Sequence, residues 1–515
     1  MAVAVKRGRK LRSDVLITLV FALLKALAVL WSIRLAESLY PAVLLGIYLL
    51  SRRVASTLPA LTALGVSNTL QRYVPLGGDE PRTNVPLLFA GVVLTIAVNA
   101  LVFLIYVLLG RSAPGLLLPD TGGYDGLRAL ALWTLIQCAL IALHFVLIGA
   151  LVGKRRMLAA NVVDLLVIGG WQILAFSYYG AGASPVIVTR FQALAMIVTT
   201  LPGLALLFLR EKSAARLGLS LPERSVWKVF LTYGATRGGV TFLDALLVTQ
   251  GPWLLRNRPA EIGYLIVALT IPRLVVTALS SVNSVASVAA AGLLGREDHH
   301  GVKVGVNMAI GLVTSSAVLA AAVLAPFVHP LLGVWLTTAS AIHAVESLAP
   351  YLLIVLPAVA LFHGLKGIVD VQDVFPYNLI NLVIANLIMW LGYELLRFVV
   401  GPLLAVVIAF GLSSVVLAGS TLFVLRRWLM DFWYFTPGRL VVTAAGAWLI
   451  CAAIARTVGQ PDRITTLAIA TITMGIAFAA GVWVLVRSSR GLFAADLMAF
   501  VLRGSLPSEF SAERG

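Results

Sequence analysis

Five basic side chains stand in the middle of segments that are long and apolar enough to cross a membrane. These candidate substrate-binding residues are Lys25, Arg52, Arg53, Arg237 and Arg273. An arginine at the centre of a membrane helix costs about 2.5 to 3.5 kcal/mol on insertion scales, so such residues are retained where water or an anion shares their surroundings. The planar arginine fork matches the oxygens of an anionic group. The pattern indicates a site for an anionic group inside the membrane.

These residues lie at a similar depth in the predicted membrane, near the centres of their spans, which favours one common site. The centres of the first, second, seventh and eighth predicted spans fall near positions 25, 53, 238 and 274, beside a basic residue in each case. Asp244 follows Arg237 by seven residues, on nearly the same helix face but about 10 Å further along the axis. Asp244 is the acid closest to the midplane among the central helices, so it is the candidate for ion coupling if a dedicated site exists. The alternative is that the arginines pair with Asp244 or with helix-end carbonyls and hold the bundle together.

Two other polar side chains inside the spans have a simpler interpretation. His144 stands alone on an apolar face, as expected of a hydrogen-bonded core histidine. Asp164 follows Asn161 by about one helical turn near the predicted cytoplasmic end of its span, where capping or helix pairing is the expected role.

Composition restricts the class of protein. Of 515 residues, 60% are hydrophobic and only 12% are charged, with a mean hydropathy of +0.98, so the chain is a polytopic membrane protein. The net charge of +17 is spread between apolar segments rather than collected on a soluble domain, which argues against nucleic-acid binding. Cys138 and Cys451 both fall inside apolar segments, so neither a disulfide framework nor a metal site is expected. We also expect no catalytic residue and no cofactor.

Hydropathy predicts an all-α protein with about fourteen membrane spans. The predicted spans are 14–36, 41–66, 86–110, 128–152, 158–179, 185–209, 226–250, 262–286, 304–327, 347–369, 376–396, 403–425, 438–456 and 464–486. No connection between them is long enough for a soluble catalytic domain, so any chemistry must lie within the membrane.

The distribution of basic residues predicts the orientation. Outside the spans, 24 Lys and Arg residues lie on the side of the N-terminus and 8 on the other. By the positive-inside rule both termini are cytoplasmic, in a multi-pass protein of the cytoplasmic (inner) membrane.

A weak internal repeat predicts the domain organisation. Spans 1 and 2 are echoed by spans 7 and 8, and the dipeptide Pro41–Ala42 recurs as Pro259–Ala260. The predicted segments are a basic cytoplasmic N-terminus 1–13, an N-lobe 14–210, a cytoplasmic linker 211–225, a C-lobe 226–426, helices 13 and 14 over 427–487, and a cytoplasmic tail 488–515 with an interfacial amphipathic segment.

Several stretches together resemble a known family. They are GIYLLSRRVASTLPALTALGVSNTLQRYVP in span 2 and beyond, YGATRGGVTFLDALLV in span 7, and AEIGYLIVALTIPRL in span 8. The sequence resembles the polysaccharide branch of the multidrug/oligosaccharidyl-lipid/polysaccharide (MOP) exporter superfamily, which includes O-antigen flippases and the lipid II flippase. The resemblance implies two six-helix lobes around a central cavity, alternating access, and basic substrate-binding residues at Lys25, Arg52 or Arg53, and Arg273.

The function expected from the resemblance and the charge pattern is that of a flippase rather than an enzyme. Its substrate would be a polyprenyl-pyrophosphate-linked oligosaccharide, and its other partners would be membrane lipids and the glycosyltransferases or polymerase of the same pathway. We expect the chain to act as a monomer. Two alternatives remain: a multidrug cation antiporter of the same fold, and a membrane glycosyltransferase or polymerase that acts on lipid-linked sugars.

Overall fold

The computed structural model describes residues 2–76, 81–118, 124–215, 222–294, 297–372, 375–429, 437–457 and 463–488. Within these ranges the regular structure is helical, with no strand. The α-helices are α1 Ala2–Leu39, α2 Ala42–Thr62, α3 Val66–Leu76, α4 Pro81–Leu109, α5 Ala113–Leu117, α6 Leu127–Gly153, α7 Met157–Leu165, α8 Trp171–Tyr179, α9 Pro185–Ala215, α10 Arg224–Val229, α11 Ala235–Leu254, α12 Pro259–Leu294, α13 His299–Leu324, α14 Val328–Trp335, α15 Ala339–Gln372, α16 Tyr377–Leu396, α17 Pro402–Leu425, α18 Pro437–Thr457 and α19 Arg463–Ser488.

The predicted fold class is confirmed: the chain is an all-α polytopic membrane protein. Each predicted span falls on a helix or on a pair of helices joined by a π-helical segment. Among the described residues, eleven helical segments are long and apolar enough to cross a membrane by length and composition. The other three predicted spans lie on α1, α2 and α11, and the charges on these helices lower their hydropathy.

Two predicted spans are interrupted where the sequence indicated a continuous helix. Span 5 consists of α7 and α8 with a π-helical segment, Leu166–Gly170, between them. Span 7 consists of α10 and α11 joined in the same way by Phe230–Gly234. In a π segment each amide bonds to the carbonyl five residues back, so the regular pattern of α-helical hydrogen bonds is interrupted there. Such segments are frequent at functional sites.

The chain folds as two compact units, residues 1–267 and 268–515, and α12 runs from the first into the second. The lobe boundaries that we predicted from the repeat stay a prediction. The C-terminal interfacial segment predicted within 488–515 lies outside the described residues, apart from the helix end at Ser488.

Unit 1 is built around α2, which packs against α6 on one side and α11 on another. The α2–α11 contact is held midway by a 2.7 Å hydrogen bond between the hydroxyls of Thr57 and Thr249. Near the start of α2, Gly46 lies against the backbone of Pro259 and Gly263, so the two copies of the repeat meet there. Beyond the end of α2, Gly65 lies against Gly234 at equally short range. These backbone contacts require glycine because a Cβ atom would occupy the space of a neighbouring carbonyl.

Unit 2 is organised around α13. One face of this helix packs Val313 and Ala317 against α15, at Leu356 and Ala360. The opposite face contributes Leu319 to a cluster with α18 and α19. The last two helices are therefore part of the core of this unit.

Candidate functional site

Lys25, on α1, is paired with a carboxylate. Its Nζ lies 2.8 Å from Asp164 Oδ2 and 3.4 Å from Asn161 Oδ1, both on α7. The side chains of Lys25 and Asp164 are each 20% exposed, so the pair is largely buried. The role expected of Asp164, helix pairing, is thus what the structure shows, and its carboxylate compensates the charge of one of the five candidate cations.

His144 is a hydrogen-bonded core histidine, as the sequence predicts, and its partner is on another helix. Its Nε2 lies 3.2 Å from Asp164 Oδ1, and its side chain is only 1% exposed. Asp164 therefore bridges α1 and α6, with one oxygen on Lys25 and the other on His144. The sequence did not reveal this because His144 and Asp164 are brought together by the packing of α6 against α7, not by spacing along one helix.

Arg52 contacts the same part of the bundle. Its Nη1 donates to Ser32 Oγ at 3.2 Å, and its Nη2 donates to the carbonyl of Ile168 at 3.5 Å. Ile168 belongs to the π segment that follows α7, and such segments are frequent at functional sites. The guanidinium has five N–H donors. These two contacts therefore use only part of its capacity, and a polar partner can take the rest.

A glycine pair was the sequence signal for this irregularity. Gly169 and Gly170 stand together inside span 5 and end its π segment. Adjacent glycines inside an apolar helix mark distortion or close packing. Lys25 and Arg52 are thus brought to one segment, through Asp164 and Ile168 one helical turn apart.

Arg53 points in a different direction from its neighbour. It is 7% exposed, whereas Arg52 is half-buried. Ser51, about 160° away from Arg53 around the axis of α2, exchanges a 2.7 Å hydrogen bond with Thr134 of α6. Successive residues of a helix are 100° apart, so the side chains of Arg52 and Arg53 leave α2 in different directions.

Arg237 lies in a second cluster. Its guanidinium carbon is 5.7 Å from the ring centroid of Tyr233, and that of Arg72 is 4.6 Å from the same centroid. Tyr73 packs edge-on against Tyr233 with 5.8 Å between ring centroids. Asp244, the candidate for ion coupling, is half-buried further along α11. The sequence does not indicate that Arg72 and Tyr233 lie near Arg237, because α3 and the π segment meet only in the folded chain.

Arg273 belongs to unit 2. It is exposed on α12 and follows the buried Pro272. Of the five predicted residues, Lys25 and Arg52 contact one segment and Arg53 is buried elsewhere on α2. Arg237 lies near the Tyr233 ring, and Arg273 is in the other unit. Their assignment to substrate stays a prediction.

The described residues contain no cluster of side chains that is typical of a metal site. No group of three or more His, Cys, Asp or Glu residues in the described part of the chain could hold an ion. Cys138 and Cys451 are both buried free thiols.

Comparison with known proteins concerns the fold. No protein-family model matches the sequence, and no curated protein matches it either. Among solved structures, the Lipid II flippase MurJ in an inward closed conformation is similar with a TM-score of 0.69 and 13% identity, over 92% of this chain and 99% of that one. The eukaryotic MATE transporter AtDTX14 is similar with a TM-score of 0.54 and 18% identity, over 85% and 98%. A MOP superfamily transporter from Pyrococcus furiosus is similar with a TM-score of 0.57 and 17% identity, over 82% and 96%.

These similarities extend over nearly the whole of each solved chain, while the identities are too low to carry a shared activity. The similarity in fold agrees with the resemblance drawn from the sequence of spans 2, 7 and 8. The chain therefore has the fold of the MOP superfamily, to which lipid flippases and MATE transporters belong.

Proposed function

We propose that this protein is a flippase that moves a polyprenyl-pyrophosphate-linked oligosaccharide across the cytoplasmic membrane by alternating access. The observation that supports this proposal is the sign of the charge inside the spans. Five cations stand in the middle of spans, and the spans that hold or contact them contain two carboxylates in their interior, Asp164 and Asp244. The interior of these spans is therefore net positive, which favours an anionic substrate such as a diphosphate.

Arg52 is the residue best suited to contact the diphosphate. It is only half-buried, and its known contacts are neutral oxygens, Ser32 Oγ and the Ile168 carbonyl. Neutral acceptors orient a guanidinium without cancelling its charge. Lys25 differs because Asp164 compensates its charge. We therefore assign Lys25 to holding α1 against α7 and to contributing to the electrostatic potential near Arg52.

The alternative within the same fold is an antiporter for cationic drugs. Two structural neighbours are described as multidrug resistance MATE family transporters. A pocket for cations should be acidic, because desolvated like charges repel. The Pyrococcus furiosus transporter is itself described by a reverse polarity of its binding pocket that suggests a different function. The basic character of the spans favours an anionic substrate in this chain.

The first test uses Arg52. In proteoliposomes that contain an undecaprenyl-pyrophosphate-linked saccharide, Arg52→Ala is expected to lower the flipping rate at least tenfold, because it removes a charge-assisted contact of about 1.5 to 3 kcal/mol. Membrane abundance should hold, since the substitution also removes an insertion cost. Arg52→Lys should recover part of the rate, because it keeps the charge but loses the fork.

Arg53→Ala is the neighbouring control. Because Arg53 is buried, its loss should lower abundance rather than the rate per molecule. Equal flipping by Arg52→Ala and wild type would contradict the assignment of Arg52. Export of ethidium together with no movement of the lipid would favour the antiporter.

The proposed orientation places both termini in the cytoplasm. A cysteine introduced by Ser213→Cys, in the predicted cytoplasmic part of α9, should stay unlabelled by an impermeant maleimide in intact cells and react after permeabilisation. Ser340→Cys, at an exposed position in the predicted external connection, should react in both conditions. The native Cys138 and Cys451 are buried, so the background should be low. Labelling of Ser213→Cys in intact cells would reverse the orientation.

A further inference from the structure

Several buried polar atoms near Arg52 make no hydrogen bond. Tyr40 and Tyr48 are 7% and 0% exposed, and neither hydroxyl oxygen has a hydrogen-bond partner among the described residues. Gln172 of α8 is also buried, and its Oε1 has no partner there either. Its Nε2 donates to Gln192 Oε1 of α9 at 3.1 Å. Most buried polar groups in native proteins are paired, so a set of unpaired ones in one place indicates a site that a ligand completes.

Three aromatic rings pack beside these polar groups. The ring centroid of Tyr48 lies 5.5 Å from that of Tyr40 and 5.6 Å from that of Phe176, and the Tyr40 and Phe176 centroids are 5.8 Å apart. Tyr40 lies between α1 and α2, Tyr48 is on α2, and Phe176 is on α8. Phe176 follows Gln172 by four residues, so the two share a face of α8. We call Tyr40, Tyr48, Gln172 and Phe176 the Tyr48 cluster.

The Tyr48 cluster is adjacent to Arg52. Tyr48 precedes Arg52 by four residues on α2, which is nearly the same face and about 6 Å along the axis. Gln172 likewise follows Ile168, whose carbonyl accepts from Arg52, by four residues. Both steps lead toward the predicted external ends of their spans. The cluster is therefore displaced from the Arg52 guanidinium by about the width of one sugar ring.

The side chains of the Tyr48 cluster suit a sugar better than a second phosphate. None of the four is charged at neutral pH, whereas phosphates are recognised mainly by charged donors. A tyrosine hydroxyl both donates and accepts, and a glutamine carbonyl accepts, which matches hydroxyl groups that also do both. The rings of Tyr40, Tyr48 and Phe176 supply apolar surface next to these polar atoms, the usual composition of a small-molecule site.

We infer that the Tyr48 cluster binds the sugar that adjoins the diphosphate of the lipid-linked substrate. This inference rests on the proposed function, in which Arg52 contacts the diphosphate. In the described state the neighbouring side chains enclose the Tyr40 and Tyr48 hydroxyls, so the sugar reaches them in another state of the alternating-access cycle. A buried unpaired hydroxyl destabilises the enclosed state. Hydrogen bonds to the sugar remove that cost when the cluster opens.

The test measures binding to the full chain in nanodiscs of phosphatidylcholine. The probes are undecaprenyl pyrophosphate without a sugar and the same lipid carrying glucose, galactose or N-acetylglucosamine. The readout is the ratio of the dissociation constants without and with the sugar. The wild type should bind at least one sugar-bearing lipid about tenfold more tightly, because the bare diphosphate leaves the polar groups of the cluster unpaired. Tyr48→Phe and Tyr40→Phe should each reduce this preference about fivefold, the loss of one hydrogen bond.

The melting temperature distinguishes a ligand contact from a structural role. Tyr48→Phe keeps the ring and removes an unpaired buried hydroxyl, so its melting temperature without the probe lipids should hold or rise. The matched control is Thr200→Val on α9, about 12 Å along that helix from Gln192. Thr200 is 0% exposed, and its hydroxyl also has no hydrogen-bond partner in the described part of the chain. Its replacement should likewise keep or raise the melting temperature, but the preference for the sugar should equal that of wild type.

Three results would overturn the sugar site and leave the proposed function standing on Arg52-dependent binding of the bare diphosphate. The first is a wild-type chain that binds no sugar-bearing lipid more tightly than the bare diphosphate, or that keeps its preference in both phenylalanine variants. The second is a melting temperature of Tyr48→Phe several degrees below wild type, which would show that the hydroxyl is structural. The third is loss of the preference when phosphatidylglycerol is added at equal mole fraction, which would assign the hydroxyls to a glycerol headgroup.

A different result would remove both proposals. If the wild-type chain neither binds nor flips any of these lipid diphosphates, the proposed function fails and the sugar site fails with it.

Discussion

Asp164→Asn is expected to destabilise the protein by about 3 kcal/mol and to lower its melting temperature by roughly 3 to 5 °C. The carboxylate of Asp164 contacts both Lys25, at 2.8 Å, and His144, at 3.2 Å. An amide keeps the shape but removes the charge, which leaves the largely buried ammonium of Lys25 without compensation. Removing one partner of a buried ion pair costs far more than the pair itself contributes. Thermal unfolding of the purified protein in detergent and its abundance in membranes measure the effect.

The double variant Lys25→Met with Asp164→Leu is the control. It removes both charges and fills the space with apolar groups, which is often neutral or stabilising for buried pairs. It should therefore recover most of the melting temperature that Asp164→Asn loses. If Asp164→Asn unfolds at the wild-type temperature, then the pair between α1 and α7 does not hold unit 1 together, and Lys25 is available to an anionic substrate.

The second large effect is expected at Gly46. A Cβ atom there would clash with the carbonyl oxygen of Pro259 and lie 2.6 Å from its carbonyl carbon. Backbone atoms cannot rotate away as a flexible side chain can, so α2 must move off the start of α12. We expect Gly46→Ala to destabilise the protein by about 3 kcal/mol, the upper part of the range for overpacking. Measured melting temperature and membrane abundance should fall together.

Two further alanine substitutions serve as comparisons, one expected to be at least as damaging and one expected to be neutral or stabilising. Gly65→Ala should be at least as damaging, because its φ of +65° disfavours any side chain and because its Cβ would clash with the Gly234 carbonyl. Gly419→Ala, inside α17 with nothing within 4 Å of the added carbon, should be neutral or stabilise by up to about 1 kcal/mol. A melting temperature for Gly46→Ala equal to that of Gly419→Ala would show that the α2–α12 contact is not maintained in the native protein.

The sequence by itself determined the fold class and the position of the helices along the chain. The length and hydropathy of a membrane span depend only on the residues of that segment. They can therefore be read from the sequence, and each predicted span corresponds to helical structure. The charges at Lys25, Arg52 and Arg237 were visible for the same reason. The repeat of Pro41 and Pro259 was visible too, and the structure places this region of the two copies in contact through Gly46 and Gly263.

Only the tertiary structure decided which groups meet. Lys25 and Asp164 are 139 residues apart, and their contact depends on how α1 and α7 are rotated about their axes. Hydropathy cannot supply that rotation, because it averages over all faces of a helix. The Ile168 carbonyl that Arg52 contacts belongs to a π segment, which hydropathy does not reveal either. Composition therefore places charge in the membrane, and packing decides which of those charges are compensated.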